Sequence, residues 1–292
     1  MLRHVLLALA RSERAERVLS SSPPAKALAE RFVAADAAGA VADLTDQGLL
    51  VSVDYLGADV TDRARAEGSV QAYLALLAGL HAGADVSVRP TALGLRLSEQ
   101  LALDNAATIC EAAASRGVTV TLDAEEHDTV EALMSIHATL RKEHPGVGVV
   151  VQAYLREAAE RCRRLEGARV RLCKGAYEAP EALRFGTARE VDRSFVRCLR
   201  ILMNGSGYPV VATDDRRLIE ITSALAVLSG REPSAYEHQL PRRVRPAERH
   251  RLTSLGLRVR VEVPYGPGWY PYLMRRLAEH PADLALALLP HR

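Results

Sequence analysis

The stretch VGVVVQAYLREAAERCRRLEGARVRLCK, residues 147–174, holds two short β-branched runs separated by a longer stretch of different rhythm. Val147-Gly148-Val149-Val150-Val151 and Arg169-Val170-Arg171-Leu172 have the length and composition of strands, and Leu155 to Leu165 has the period of a helix. Gly167 stands where such a helix should stop. Each run gives way to a polar side chain, Gln152 and Lys174. The unit reads strand, helix, strand, and its repetition decides the fold.

Working outward, the same rhythm covers most of the chain. Further runs are Leu50-Val51-Ser52-Val53, Asp85-Val86-Ser87-Val88, Val118-Thr119-Val120-Thr121-Leu122, Pro209-Val210-Val211-Ala212, the weak Ser234-Ala235-Tyr236, and Leu257-Arg258-Val259-Arg260-Val261. Helical stretches lie between them, as in Glu99 to Ser115, Thr129 to Glu143, Glu190 to Met203 and Arg216 to Leu228, with Gly117, Gly146, Gly207 and Gly256 at expected stops. Eight β-α units in roughly 240 residues match the usual size of a (β/α)8 barrel. A doubly wound open sheet competes, because periodicity alone cannot close a barrel.

The residues that end the runs favour closure. They are Asp54, Arg89, Asp123, Gln152, Lys174, Thr213 with Asp214, His238 with Gln239, and Glu262. Asp and Thr are ordinary helix caps. Arg89, Gln152, Lys174 and Glu262 are poor ones, and the carboxyl ends of strands are where a barrel builds its active site. His238 is expected to line that pocket. Ser20-Ser21-Ser22-Pro23-Pro24 reads as a turn after an N-terminal helix. The expected organisation is N-terminal helices over 1–45 and one barrel domain over 46–292.

Composition narrows the classes. The chain has 292 residues, 48% hydrophobic and 25% charged, as in a globular protein with a sizeable core. A net charge of +2 gives no strong pull toward nucleic acid or anionic membrane, and 4% aromatic content offers no stacking platform for single strands. Cys110, Cys162, Cys173 and Cys198 lack CxxC or zinc spacing, and the nine histidines form no recognised ligand pattern, so no metal site is expected. The cysteine usage fits a reducing cytoplasm. The apolar run Val5 to Ala10 is too short for a leader or membrane span. The basic cluster Arg242-Arg243-Val244-Arg245 with Arg249 and Arg251 reads as solvated surface before it reads as a nucleic-acid or lipid patch.

Two segments carry chemistry. Arg171-Leu172-Cys173-Lys174-Gly175-Ala176-Tyr177 lets backbone approach an anion closely, with Lys174 supplying charge. It is not a full P-loop, and no GxGxxG follows a strand, which argues against a Rossmann-type site. Val263-Pro264-Tyr265-Gly266-Pro267-Gly268-Trp269-Tyr270-Pro271-Tyr272-Leu273-Met274-Arg275-Arg276-Leu277 is a Pro-Gly elbow leading into a helix with adjacent arginines. Neighbouring side chains point about 100° apart on a helix. Arg275 and Arg276 can serve one carboxylate only if this helix crosses the barrel mouth. An Arg-Arg pair taken alone is more often solvated surface.

RLCKGAY at 171–177, ATDD at 212–215, YEHQLP at 236–241 and EVPYGPGWYPYLMRRL at 262–277 fall in one order with SVDYLG at 52–57, SVRPTALGL at 87–95, TLDAEEHDT at 121–129 and VVVQAYL at 149–155. Together they resemble the proline dehydrogenase family over residues 50–280. The resemblance implies a distorted (β/α)8 barrel binding FAD non-covalently, with the last helix above the barrel mouth. It implies hydride transfer from the carbon next to a secondary amine of a small amino acid, with electrons passing to a quinone or other acceptor. Asp123 would sit beside substrate and flavin. Gln152 and Arg171 would hydrogen-bond the isoalloxazine, Arg171 acting with Asp123 in catalysis. Ala124, Lys174, Gly175, Ala176, Thr213 and Asp214 would line the FAD. Tyr272 would pack on the substrate ring, while Arg275 and Arg276 would bind its carboxylate with help from Arg89. A cytoplasmic protein with at most peripheral contact to the inner membrane face is the implied setting, with no nucleic-acid partner.

Five positions depart from the family pattern. Arg89 replaces a lysine, Ala58 replaces a glutamate (losing any ion pair with Arg171), and Asp214 replaces a histidine. Pro241 replaces a leucine that packs on the ring, and Glu262 replaces a tyrosine. Glu262 could be a structural partner of Arg89 or Arg276. It could equally mark a pocket remodelled for a more cationic or hydrogen-bonding substrate, such as a substituted proline, an N-alkyl amino acid or a hydrazino acid. Two other classes stay open: a weakened barrel used as a binding module, and a barrel enzyme acting on a phosphate ester through the Lys174-Gly175 loop.

Overall fold

The structure is a computed structural model that describes residues 2–279 except 11, 58, 176, 243 and 244. Four helices open it: α1 (Leu2–Ala10), α2 (Glu13–Ser20), α3 (Pro23–Phe32) and α4 (Ala37–Asp46). The Ser-Pro punctuation is the turn between α2 and α3, with Pro23 in the first helical position, where a missing N–H costs nothing. Strand and helix then alternate as β1 (Leu50–Tyr55), α5 (Arg63–Ala78), β2 (Asp85–Val88), α6 (Glu99–Ala114), β3 (Thr119–Leu122) and α7 (Val130–Glu143). They continue as β4 (Gly148–Gln152), α8 (Ala158–Arg164), β5 (Arg169–Cys173), α9 (Ala188–Asn204), β6 (Tyr208–Ala212) and α10 (Arg216–Leu228). The last are β7 (Glu237–Pro241), α11 (Pro246–Ser254), β8 (Val259–Tyr265) and α12 (Trp269–Glu279). All eight strands are parallel, follow chain order, and close when β8 pairs with β1. Closure excludes the doubly wound sheet.

Side chains alternate across a strand, and here the alternation separates polar from apolar. Val53, Val86, Leu122, Val149, Leu172, Val211 and Val261 pack outward into the layer shared with the helices. Most of the inward positions toward the amino ends of the strands are polar and bond across the barrel, while Val150, Val210 and Ala212 are inward apolar exceptions. Asp85, with no exposed surface, accepts from Ser52 (2.6 Å), Thr119 (2.8 Å), Thr121 (2.7 Å) and Arg171 (2.6 Å). Glu237 is equally buried and accepts from Arg169 (2.7 Å) and from Arg260 (2.5 and 3.1 Å). Burial alone would raise both carboxyls, but Arg171, Arg169 and Arg260 overcome it for Asp85, and Arg260 and Arg169 for Glu237. Both are held below the usual carboxylate range.

Two strands differ from expectation. The seventh lies at Glu237–Pro241, and Pro233–Ala235 is a short 3-10 turn. Leu240 is the one aliphatic side chain in Glu-His-Gln-Leu-Pro, so hydrophobic periodicity passes it over. The eighth runs on through Glu262 to Tyr265, and Ala34 N–H donates to the Pro264 carbonyl at 2.7 Å. Gly207 is no helix stop of the left-handed kind. A Cβ there would collide with the Ala168 backbone carbonyl.

The N-terminal helices are fastened to the barrel. Val41 and Leu44 of α4 join the core behind β1 and β8. Leu6 and Leu7 of α1 pack with Leu273, Met274 and Leu277 of α12, and Tyr270 OH donates to Leu9 O at 3.1 Å. At the elbow before α12, Gly268 N–H donates to Leu56 O at 2.8 Å, and a Cβ on Gly268 would stand 2.6 Å from that same oxygen. Backbone contact this close sets the entry angle of α12 across the carboxyl ends of the strands.

Candidate active site

The carboxyl ends of the strands open into one cleft enclosing about 1100 Å3 of empty space, part of it open to solvent, and α12 closes one side of it. Arg89, Asp123, Ala124, Gln152, Arg171, Lys174, Gly175, Thr213, Asp214, Glu262, Tyr272, Arg275 and Arg276 all line this cleft. Ala176 and Ala58 lie outside the described residues. Residues separated by up to 187 positions (276 minus 89) thus share one wall because a barrel delivers every strand end to the same rim.

Arg171 forms the floor. Its Nη1 donates to Ser87 Oγ at 2.5 Å, and its Nη2 donates to Ser52 Oγ at 2.9 Å and to Asp85. Asp85, and not a residue after the first strand, is therefore its ion partner. Gln152 is buried, and its amide donates to Ala124 O at 3.0 Å, leaving Oε1 without a partner among the described residues. Gln239 Oε1 and Arg171 Nε are in the same state. A floor of buried, unsatisfied polar atoms facing a cleft is what a polar ligand completes.

On the β5–β6 side, Lys174 Nζ meets Asp192 at 2.7 Å and Asp215 at 3.2 Å. Gly175 has φ +91°, and a Cβ there would enter the Tyr154 ring. Glycine is therefore required here by the Tyr154 ring behind it, and the Gly175 main chain itself lines the cleft. Thr213 Oγ1 accepts from Asp215 N–H at 3.2 Å.

The two arginines of α12 diverge. Arg276 is buried, lies 5.5 Å from the centre of the Phe32 ring, and reaches Asp214 at 4.0 Å. Arg275 is half-buried and lies 5.3 Å from the centre of the Tyr177 ring, facing both the cleft and a neighbouring cavity lined by Thr91, Glu125 and Pro271. Both guanidinium groups still border the same cleft, which the turn of the helix alone would not ensure.

Three carboxylates face these cations. Asp54, missed as a site residue although it ends its strand, pairs with Arg89 Nη2 at 2.8 Å. Asp123 lies 3.9 Å from Arg89 Nε, and burial, then the Asp54 charge, raise its pKa against Arg89, Arg171 and Arg275. Burial, followed by Asp54, pushes Glu262 up to about 7 against Arg171 and Arg276. Glu262 pairs with neither Arg89 nor Arg276, whose partners are Asp54 and Asp214. Glu125, outside the cleft, accepts from Thr91 N–H and Oγ1, and burial pushes it up to about 7.

His238, expected to line the pocket, does not. Strand alternation turns it outward, where it is fully buried against Tyr236, while its neighbour Gln239 faces the cleft. Tyr177 and Gln239 belong to the cleft lining as well. Their signals were present as a motif residue and a strand-end residue, without a face assigned. Of the basic cluster, Arg251 pairs with Glu248 at 2.6 Å and Arg249 donates to Arg242 O at 2.7 Å.

A family model described as proline dehydrogenase matches residues 37–285. Proline dehydrogenase 1 of Bacillus subtilis (strain 168) is 33% identical over 297 residues, spanning 99% of this chain and 98% of its own. Proline dehydrogenase of Deinococcus radiodurans is 31% identical over 275 residues, 89% of each chain. Among solved structures, proline utilization A from Bdellovibrio bacteriovorus inactivated by N-propargylglycine superposes with a TM-score of 0.79 at 22% identity. It covers 87% of this chain and 33% of that longer one. Proline utilization A from Corynebacterium freiburgense gives a TM-score of 0.75 at 19% identity, over 98% of this chain and 34% of the other. These two share the barrel fold.

Proposed function

The chain belongs to the proline dehydrogenase family of oxidoreductases, and from that membership we propose that it oxidises a carboxylate-bearing secondary amine, L-proline first, using non-covalent FAD. The observation that carries this reading is the sharing of one cleft by the α12 arginines and the unsatisfied floor of Gln152 and Arg171. The residues fit a flavin. The free amide oxygen of Gln152 suits the ring N–H of an isoalloxazine, and the Gly175 main chain lining the cleft beside Lys174 suits the rest of the dinucleotide. Ala124, Thr213, Asp214 and Ala176 are the further contacts we assign to it. When bound, the flavin supplies a two-electron acceptor for a hydride from carbon next to nitrogen.

The chain's own residues do the rest. Arg275 and Arg276 hold the substrate carboxylate by charge-assisted hydrogen bonds. Tyr272 packs over the substrate, and Arg89, fixed by Asp54, adds positive charge beside it. Asp123 sits at the substrate–cofactor boundary, and Arg171 holds its position through Asp85 and the serines. α12 excludes water from this side. The acceptor we assign is a quinone-type oxidant met at a membrane face. No helix among the described residues is long and apolar enough to cross a membrane. The helices 1–45 and the barrel 46–292 act as one unit in this reading.

A second reading keeps the same chemistry on another carboxylate-bearing amine: a substituted proline, an N-alkyl amino acid or a hydrazino acid. Glu262, with no ion-pair partner among the described residues and paired in register with Pro241, favours it. The experiment is an anaerobic screen of flavin bleaching with proline, hydroxyprolines, sarcosine and hydrazinoacetate. Bleaching by proline at ordinary efficiency selects the first reading, and bleaching by another member alone selects the second. Protein that takes up no FAD defeats both.

A further inference from the structure

Three of the four acidic side chains lining the cleft have a cation within 4 Å. Asp54 has Arg89 at 2.8 Å, Asp123 has Arg89 at 3.9 Å, and Asp214 has Arg276 at 4.0 Å. Glu262 has no hydrogen bond and no cation within 4 Å among the described residues, yet it opens on the cleft together with Tyr272, Arg275 and Arg276. An amino acid brings two charges into such a cleft. Its carboxylate has the α12 arginines, and its ammonium needs an anion not already engaged.

We propose that Glu262 is the proton acceptor for the substrate amine. This rests on the amine-oxidation reading above. The Glu262 carboxylate pairs with the secondary ammonium and takes one of its protons. An N–H bond breaks, a carboxyl O–H bond forms, and an ion pair becomes a neutral amine beside a neutral acid. No electrons are exchanged in this step. The lone pair it frees on nitrogen is what allows the adjacent C–H bond to give up a hydride. The proton leaves through the open side of the cleft.

The surroundings suit the task. β1 brings Asp54, β3 brings Asp123, β5 brings Arg171 and α12 brings Arg275 and Arg276. From β7 the groups facing the cleft are Gln239 and Pro241, which carry no charge, and the buried face of α4 behind β8 is apolar. Burial and the two aspartates outweigh Arg171 and Arg276, so Glu262 titrates near 7. A base does most when its pKa lies near the working pH.

The test uses the FAD-loaded enzyme and the ring-ether analogue of proline, which keeps the carboxylate but has oxygen in place of NH. Its oxygen can accept a hydrogen bond from protonated Glu262 and can only be repelled by the ionised form. Binding, read from flavin absorbance, should weaken about tenfold between pH 6 and pH 8, in line with a single titration near 7. Glu262→Gln should bind the ether with no such dependence. In turnover, Glu262→Gln should lose the limb of kcat/KM that rises through pH 7 and fall roughly 100-fold or more in kcat, with partial rescue in Glu262→Asp. An unchanged pH dependence of ether binding in Glu262→Gln overturns the proposal, as does absence of ether binding to the unmodified enzyme at pH 6. Failure of every amine to bleach the unmodified enzyme defeats the parent reading instead, and the ether titration still decides on Glu262.

Discussion

Arg275 and Arg276 are adjacent in sequence and occupy different environments. Arg276 is buried against Phe32 and Asp214, whereas Arg275 stands half-buried over Tyr177 with water in reach. Removing a charged partner of a bound carboxylate typically costs 2–5 kcal/mol. Arg275→Ala should therefore weaken binding of the ring-ether carboxylate roughly 100-fold while barely changing the melting temperature. Arg275→Lys should recover only part, because an ammonium cannot offer the planar fork. A calorimetric titration alongside a thermal melt checks both. Equal losses of affinity and stability would make Arg275 a packing residue.

α12 owes its place to two neighbours in the fold, the glycine elbow and α1. The elbow fixes its entry through Gly268 against Leu56, and α1 covers its apolar face with Leu6 and Leu7. Leucine-to-alanine changes at buried positions cost about 2–5 kcal/mol. Here the loss should fall on the α1–α12 pair before the barrel. Leu7→Ala should speed amide hydrogen exchange along α12 and raise the ring-ether dissociation constant several-fold, leaving the barrel strands protected. Uniformly faster exchange across all strands would show instead that α1 stabilises the molecule as a whole.

Over the whole molecule, two sets of carboxyls oppose one another as pH changes. Asp85 and Glu237 have folded pKa values below their unfolded ones, so they stabilise above an unfolded pKa of about 4. That stability is lost as pH falls through the folded values. Glu125 and Glu262 are pushed up to about 7 from an ordinary 4.5. Between those values the unfolded chain has already released protons that the folded chain retains, so stability falls as pH rises. Thermal melts from pH 3 to pH 8 should show a maximum near pH 5, with a steep acid side. Glu262→Gln should shallow the decline between pH 5 and pH 7, and an identical decline in the variant would contradict the assignment.

The repeating strand–helix unit, the glycine punctuation and the polar strand ends are local features, and local sequence is enough to determine them. That is why the repeating strand–helix units and polar rim residues such as Gln152 and Lys174 were legible, whereas the α12 arginines stood out only through the ordered set of motifs that resembles the family. Closure of the sheet, the seventh strand at Glu237–Pro241, and the ionic floor of Asp85, Glu237 and three arginines were decided only in three dimensions. A polar strand acquires its side-chain hydrogen-bonding partners from neighbours 23 to 119 residues away, so nothing in its own composition announces it. The same holds for Glu262. Its sequence position marks it as a departure from the family pattern. Only the folded cleft, where Asp54 takes Arg89 and Asp214 lies nearest Arg276, leaves Glu262 as the lining carboxylate with no cation within 4 Å among the described residues.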